Sequence, residues 1–154
     1  MKLGGYFVNV STARKLAQHL NIDVGEDTSF NNRHLEFPIN DWLHDNGMLH
    51  IKAGFIKWPV KDGEYGVCFI SRFRRTHDPE RDDFIEGEKD LEVRKWLTSL
   101  DVEGIQWATL IDRYGITIDG IRPQTAGVRF RESTLEELSE RIAEMKRERN
   151  ADKV

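Results

Sequence analysis

The sequence feature that most restricts the fold is a pair of strand-like runs separated by a turn signal. The first run extends over residues 49–56, where apolar residues occupy alternate positions, and the second extends over residues 65–74. Between them lies Asp62-Gly63, a residue pair that readily adopts the tight turn of a β-hairpin. The two runs therefore predict neighbouring antiparallel strands whose alternate side chains lie on opposite faces of a sheet.

Further strand and helix signals follow one another along the rest of the chain. Strands are expected over residues 3–10, 105–110, 115–121 and 127–130. The helix signals are Ser11 as an N-cap, a brief helix after Pro38, Asp90 as a second N-cap, and a Ser133/Glu136 capping box before the last helix. These elements predict a single α+β domain over residues 1–150, with a mostly antiparallel sheet of about five to six strands and three main helices, the last of them C-terminal. Residues 151–154 are expected to form a disordered tail.

Composition excludes several classes of protein. The chain has 154 residues and a formal net charge of −4, from 23 Lys and Arg against 27 Asp and Glu. This near balance gives no overall positive electrostatic field that would attract nucleic acid, so nucleic acid is not a favoured partner. Cys68 is the only cysteine, which argues against disulfides and cysteine zinc sites and for a reducing, cytoplasmic location. No run approaches the roughly 18 apolar residues of a membrane span, so no membrane partner is expected.

The second strand of the hairpin ends in a dense run of charge, from Arg72 to Asp83. Such a strand must deliver its charges to an edge or a cleft, because unpaired charges are too costly to keep in a core. Simple alternation predicts that Arg72 and Arg74 share a face with Cys68, and that Phe73 lies on the opposite face. The strand end is therefore the first place to look for function.

Two interpretations of the charged run remain open. Guanidinium groups bind carboxylates and phosphates in a bidentate manner, which predicts an anion site. Alternatively, the acidic residues of the same run neutralise its arginines and leave a solvated surface, in which each exposed pair contributes about 0–1 kcal/mol. If the run is a binding site, alanine substitutions at Arg72, Arg74 and Arg75 are expected to leave the melting temperature nearly unchanged while abolishing pull-down of the partner.

A binding surface is predicted around this strand end. It includes Trp58 because a large apolar side chain at a hairpin tip is typical of a partner contact. The predicted binding residues are Arg72, Arg74, Arg75, Arg81, His77 and Trp58.

A metal site is the main alternative, since His77, Asp78, Asp82 and Asp83 carry groups that bind hard cations. Pro79 favours an extended turn that scatters these side chains, so no metal, cofactor or catalytic residue is assigned. The sequence favours a small soluble binding or regulatory protein without catalytic activity, which docks a protein partner or an anionic ligand. The alternatives are a metal-assisted hydrolase of phosphate esters and an acidic inhibitor that mimics nucleic acid. The oligomeric state is left open.

Overall fold

The computed structural model describes residues 2–60, 64–74, 84–111, 128–131 and 133–153. Side chains are described at all of these positions except 57–60, 64 and 128–131. Within these ranges, the structure has no helix that is both long and apolar enough to cross a membrane.

The described strands form one antiparallel sheet. The strands are β1 (Lys2–Asn9), β2 (Lys52–Val60), β3 (Glu64–Arg74), β4 (Gln106–Ile111) and β5 (Val128–Arg131). Their order across the sheet is β2-β3-β1-β4-β5, and each neighbouring pair is antiparallel. The earliest strand in the sequence is therefore the central strand. The strand predicted over residues 115–121 lies outside the described residues.

Five helices are described, more than the three main helices predicted. They are α1 (Val10–His19), α2 (Ser29–Asn32), α3 (Glu36–Asp45), α4 (Glu88–Ser99) and α5 (Leu135–Ala151). α2 is a single turn, and α3 begins two residues before Pro38, because proline is tolerated in the first turn of a helix. The predicted α+β class and the C-terminal position of the last helix are confirmed.

The predicted hairpin is present. β2 pairs with β3 in an antiparallel register in which Gly54 lies opposite Cys68. β2 begins at Lys52 rather than at Leu49, since the chain at residues 49–50 is in a turn. The hairpin prediction succeeded because alternation and turn chemistry agreed with each other over this segment.

Both faces of the sheet are apolar. On one face, Tyr6, Phe69 and Trp107 are paired across three strands and pack against buried residues of α1, α3 and α4. The other face carries a second buried cluster: Leu3, Phe7, Ile56, Cys68, Ile70, Ala108 and Leu110. We refer to the first as the helix face. Burial raises the pKa of the Cys68 thiol, which fits a small core residue rather than a nucleophile.

The N-terminal caps of α1 and α5 differ from their predicted positions. Asn9 caps α1 by accepting a hydrogen bond from the Thr12 N–H at 2.8 Å, in place of Ser11. α5 has a capping box one residue later than predicted, in which Thr134 and Glu137 exchange hydrogen bonds. In each case a neighbouring residue with an equally good oxygen acceptor takes the role, and spacing alone does not choose between them.

Candidate binding site at the end of strand β3

A β-bulge controls which way the end of β3 faces. Gly4 of β1 pairs with Arg72, and Gly5 pairs with Ile70, so that Ser71 is an extra residue on β3. A bulge of this kind offsets the alternation of side chains by one position beyond it.

The offset corrects the predicted face of the arginines. Arg72 lies opposite Gly4, two residues from Tyr6, and is therefore on the helix face rather than on the face of Cys68. Arg74 shares that face, since it is two residues further along β3. The two arginines still lie together as predicted, but they face the helices.

Arg72 has a buried acidic partner. Its Nη2 lies 2.7 Å from Oδ2 of Asp90, whose side chain is 0% exposed, while 34% of the Arg72 side chain is exposed. Asp90 is also the third residue of α4 rather than its N-cap, which is Gly87. Its carboxylate accepts hydrogen bonds from the Ser71 hydroxyl and the Gly87 N–H, both at 2.7 Å. One carboxylate therefore fixes the guanidinium, the bulge and the start of α4.

Glu86 forms a second buried acidic centre beside the first. It accepts a short hydrogen bond from the Tyr6 hydroxyl, and Nη2 of Arg141 lies 3.3 Å from its Oε1. The Ser133 hydroxyl donates to the same oxygen at 3.4 Å. The guanidinium of Arg94 lies 5.5 Å from the centre of the Tyr6 ring. Glu86 thus connects the central strand β1 to helix α5.

The environment of Tyr6 makes the free energy of unfolding depend on pH in the alkaline range. Burial, followed by the hydrogen bond and charge of Glu86, raises the pKa of the Tyr6 hydroxyl above its ordinary value of about 10. The unfolded chain therefore releases this proton above about pH 10 while the folded chain keeps it. This contribution to stability is complete below pH 10 and falls by about 1.4 kcal/mol per pH unit above it.

The corresponding test is urea unfolding between pH 9 and pH 11. The wild-type protein is expected to lose stability with pH more steeply than Tyr6→Phe, which lacks the ionisable hydroxyl, by about 1.4 kcal/mol per pH unit above pH 10. Equal slopes for the two proteins would show that Tyr6 ionises as readily in the folded state as in the unfolded one.

The outer side of the strand end is exposed. Arg74 is exposed and makes no ion pair within the described part of the chain. Phe73, on the opposite face of β3, is 75% exposed, and Ile85 in the segment before α4 is also exposed. Exposed apolar side chains beside cations are typical of a surface that contacts another molecule.

The remaining predicted residues are placed only in part. Arg75, His77 and Arg81 lie outside the described residues, as do Asp78, Asp82 and Asp83 of the metal hypothesis. Trp58 lies within β2, between Ile56, which pairs with Gly66, and Val60, which pairs with Glu64, and only its backbone is described. It is therefore at the opposite end of β3 from the arginines, and the structure does not bring it together with them as predicted. Among the side chains that are described, no group of three or more His, Cys, Asp or Glu is arranged to hold a metal ion.

Glu86 and Asp90 were not predicted as partners of the site. Asp90 lies 18 residues after Arg72, and Tyr6 lies 80 residues before Glu86. A carboxylate at the third position of a helix is an available signal, since such a residue often bonds back to the N-cap N–H. Nothing in the local sequence indicates that either carboxylate is buried.

Comparisons with protein-family models, with curated proteins and with solved structures found no match to this chain. The function must therefore be argued from the site itself.

Proposed function

We propose that this chain is a small binding protein, which docks an anionic group of a protein partner or ligand through Arg72 and Arg74. The observation that carries the proposal is the guanidinium of Arg72, held at 2.7 Å by buried Asp90 while a third of the side chain stays exposed. A guanidinium fixed in this way has already lost most of its rotamer freedom, so that less entropy is lost when it binds an anion.

A protein partner suits the surface better than a small anion. Phe73 directly precedes Arg74 but lies on the opposite face of β3, and both side chains are exposed; exposed aromatic residues near arginine are typical anchors of protein interfaces. A small anion at Arg74 would leave Phe73 in water, whereas an acidic segment with an apolar side chain is long enough to pass around the end of β3 and contact both residues. A reducing, cytoplasmic setting belongs to this proposal, since Cys68 is the only cysteine.

Binding fits the described carboxylates better than catalysis does. Glu86 and Asp90 are completely buried and already accept hydrogen bonds from protein donors. A carboxylate so enclosed cannot reach a substrate as an acid or a base. The hydrolase alternative depends on residues outside the described ranges, and no described contact favours it. Helix α5 interleaves acidic with basic residues, which gives little support to the nucleic-acid mimic.

The test uses a labelled acidic peptide that contains one phenylalanine, with its glutamine counterpart as the neutral ligand. Arg74→Ala is expected to weaken binding of the acidic peptide about tenfold, equivalent to about 1.4 kcal/mol, and to leave stability within about 0.5 kcal/mol. Fluorescence anisotropy measures the affinity, and raising the salt concentration is expected to weaken it further.

The matched control is Arg147→Ala, which removes one exposed cation from α5. It is expected to bind the acidic peptide as the wild type does. Equal binding of the acidic and neutral peptides, or equal affinity in the Arg74 and Arg147 variants, would refute the proposal.

A further inference from the structure

A cleft lies at the opposite end of β3 from the arginines. β1 passes into α1 with no intervening residue, so that Asn9 and Ser11 stand at the junction of strand and helix. Gly66 of β3 pairs with Asn9, which brings the neighbouring Tyr65 beside this junction. Tyr65 is 44% exposed, while Phe55 of the adjacent strand is buried. These residues form one wall and part of the floor of the cleft.

The facing wall is the segment from Gly25 to Arg33, and hydrogen bonds hold it in place. Arg14 of α1 donates to Oδ1 of Asn32 at 2.9 Å and to the carbonyl of Gly25. Asn32 in turn donates from Nδ2 to Oδ1 of Asp27 at 2.8 Å. The wall is thus fixed before any ligand arrives, which is the property of a preformed site.

The cleft has room for a small molecule and carries one charge of each sign. Its volume is about 630 Å³, and Asp27 and Arg33 both line it. These two side chains do not form an ion pair with each other, although both are described. The hydroxyl of Ser11 and the aromatic rings of Phe55 and Tyr65 complete the lining.

We propose that this cleft binds a zwitterionic small molecule of the α-amino-acid type with an apolar side chain. The carboxylate of the ligand would pair with Arg33, its ammonium group with the remaining oxygen of Asp27, and its side chain with Tyr65 and Phe55. Each charged group of the ligand is then paired with an opposite charge of the protein, and the apolar side chain of the ligand packs against the aromatic rings.

The balance of charge favours this ligand over a phosphorylated one. A phosphate monoester carries nearly two negative charges at neutral pH, against which the described lining offers one guanidinium and one repelling carboxylate. A neutral polyol would leave both Asp27 and Arg33 without an opposite charge. The zwitterion supplies an opposite charge to each of these two side chains.

The experiment follows backbone amide shifts by NMR while L-phenylalanine is added up to about 20 mM, which detects even a millimolar dissociation constant. Shifts are expected at Ser11, Ser29 and Tyr65. L-Phenylalaninamide lacks the carboxylate and N-acetyl-L-phenylalanine lacks the ammonium group, and each is expected to bind at least about tenfold more weakly.

Arg33→Gln and Asp27→Asn are each expected to weaken phenylalanine binding by a similar factor, while Lys95→Gln on α4 serves as the exposed control. Asp27→Asn keeps an oxygen that can accept the hydrogen bond from Asn32, so the wall is preserved. Absence of shifts, equal shifts with all three probes, or stronger binding of inorganic phosphate would overturn the proposal.

The two sites lie far enough apart for separate tests. Tyr65 and Arg74 are nine positions apart on one extended strand, which corresponds to about 30 Å. Arg74→Ala is therefore expected to bind phenylalanine as the wild type does, whatever its effect on the acidic peptide.

Discussion

Replacing Arg72 by alanine is expected to lower the free energy of unfolding by about 3 kcal/mol. The substitution leaves the completely buried carboxylate of Asp90 without its cationic partner, and breaking a buried pair in this way costs about 3–5 kcal/mol. The lower end of that range applies because Arg72 is 34% exposed, so that water can reach the space left by the guanidinium. Urea unfolding followed by circular dichroism measures the change.

Two comparisons make the Arg72 result specific. Arg74→Ala removes an exposed arginine from the same strand end and is expected to change stability by no more than about 0.5 kcal/mol. A double-mutant cycle with Asp90→Ala should show that the two substitutions are not additive, because they remove the same interaction. If Arg72→Ala were as stable as Arg74→Ala, the pair would contribute nothing to folding.

Gly66→Ala is expected to lower the free energy of unfolding by about 3 kcal/mol or more. A Cβ atom at this position would lie 2.1 Å from the carbonyl oxygen of Val8 and 2.4 Å from the ring of Phe7. The Val8 oxygen belongs to the backbone of the central strand, so the clash cannot be relieved by a change of rotamer. Thermal unfolding at matched protein concentration measures the loss.

Gly47→Ala provides the matched control for Gly66→Ala. At Gly47 no atom lies within 4 Å of an added Cβ, but φ is +73°, a conformation that costs an alanine about 1–2 kcal/mol. Gly66 presents a steric conflict and Gly47 a conformational one. A Gly66 variant no less stable than the Gly47 variant would show that β1 and β3 can separate at little cost.

The parts of the fold that the sequence predicted correctly depend on local patterns. Alternation of apolar residues over residues 49–56, the apolar run over residues 67–70 and the Asp62-Gly63 turn signal were sufficient for the hairpin, since all three act within a few residues. The helix ends were less well predicted. Asn9 and Ser11, like Ser133 and Thr134, are equally good acceptors, and tertiary contacts select between them. The Ser133 hydroxyl is hydrogen-bonded to Glu86, and the Ser133 carbonyl accepts a hydrogen bond from Arg94 at 3.0 Å.

The candidate site was predicted less completely because its decisive contacts are not local. One interpretation of the charged run had its own acidic residues neutralise its arginines, yet Arg72 pairs with Asp90 of a later helix. The bulge at Ser71 also places Arg72 on the face opposite to the predicted one, and no residue pattern near Ser71 indicates an extra residue. As a result, the expectation that Arg72→Ala would leave the melting temperature nearly unchanged is replaced by a prediction of marked destabilisation.

The central position of β1 has a consequence for folding during synthesis. β1 pairs with β3 on one side and with β4 on the other. β3 starts more than fifty residues after β1 ends, and β4 starts about 100 residues after it. At about 5–20 residues per second, the ribosome needs about 5–20 s to produce the second neighbour. During that interval β1 has an unpaired edge of the kind that recruits other strands. The nascent chain is therefore most exposed to mispairing before residue 111 emerges, and slow, non-local pairing is expected to limit its folding rate.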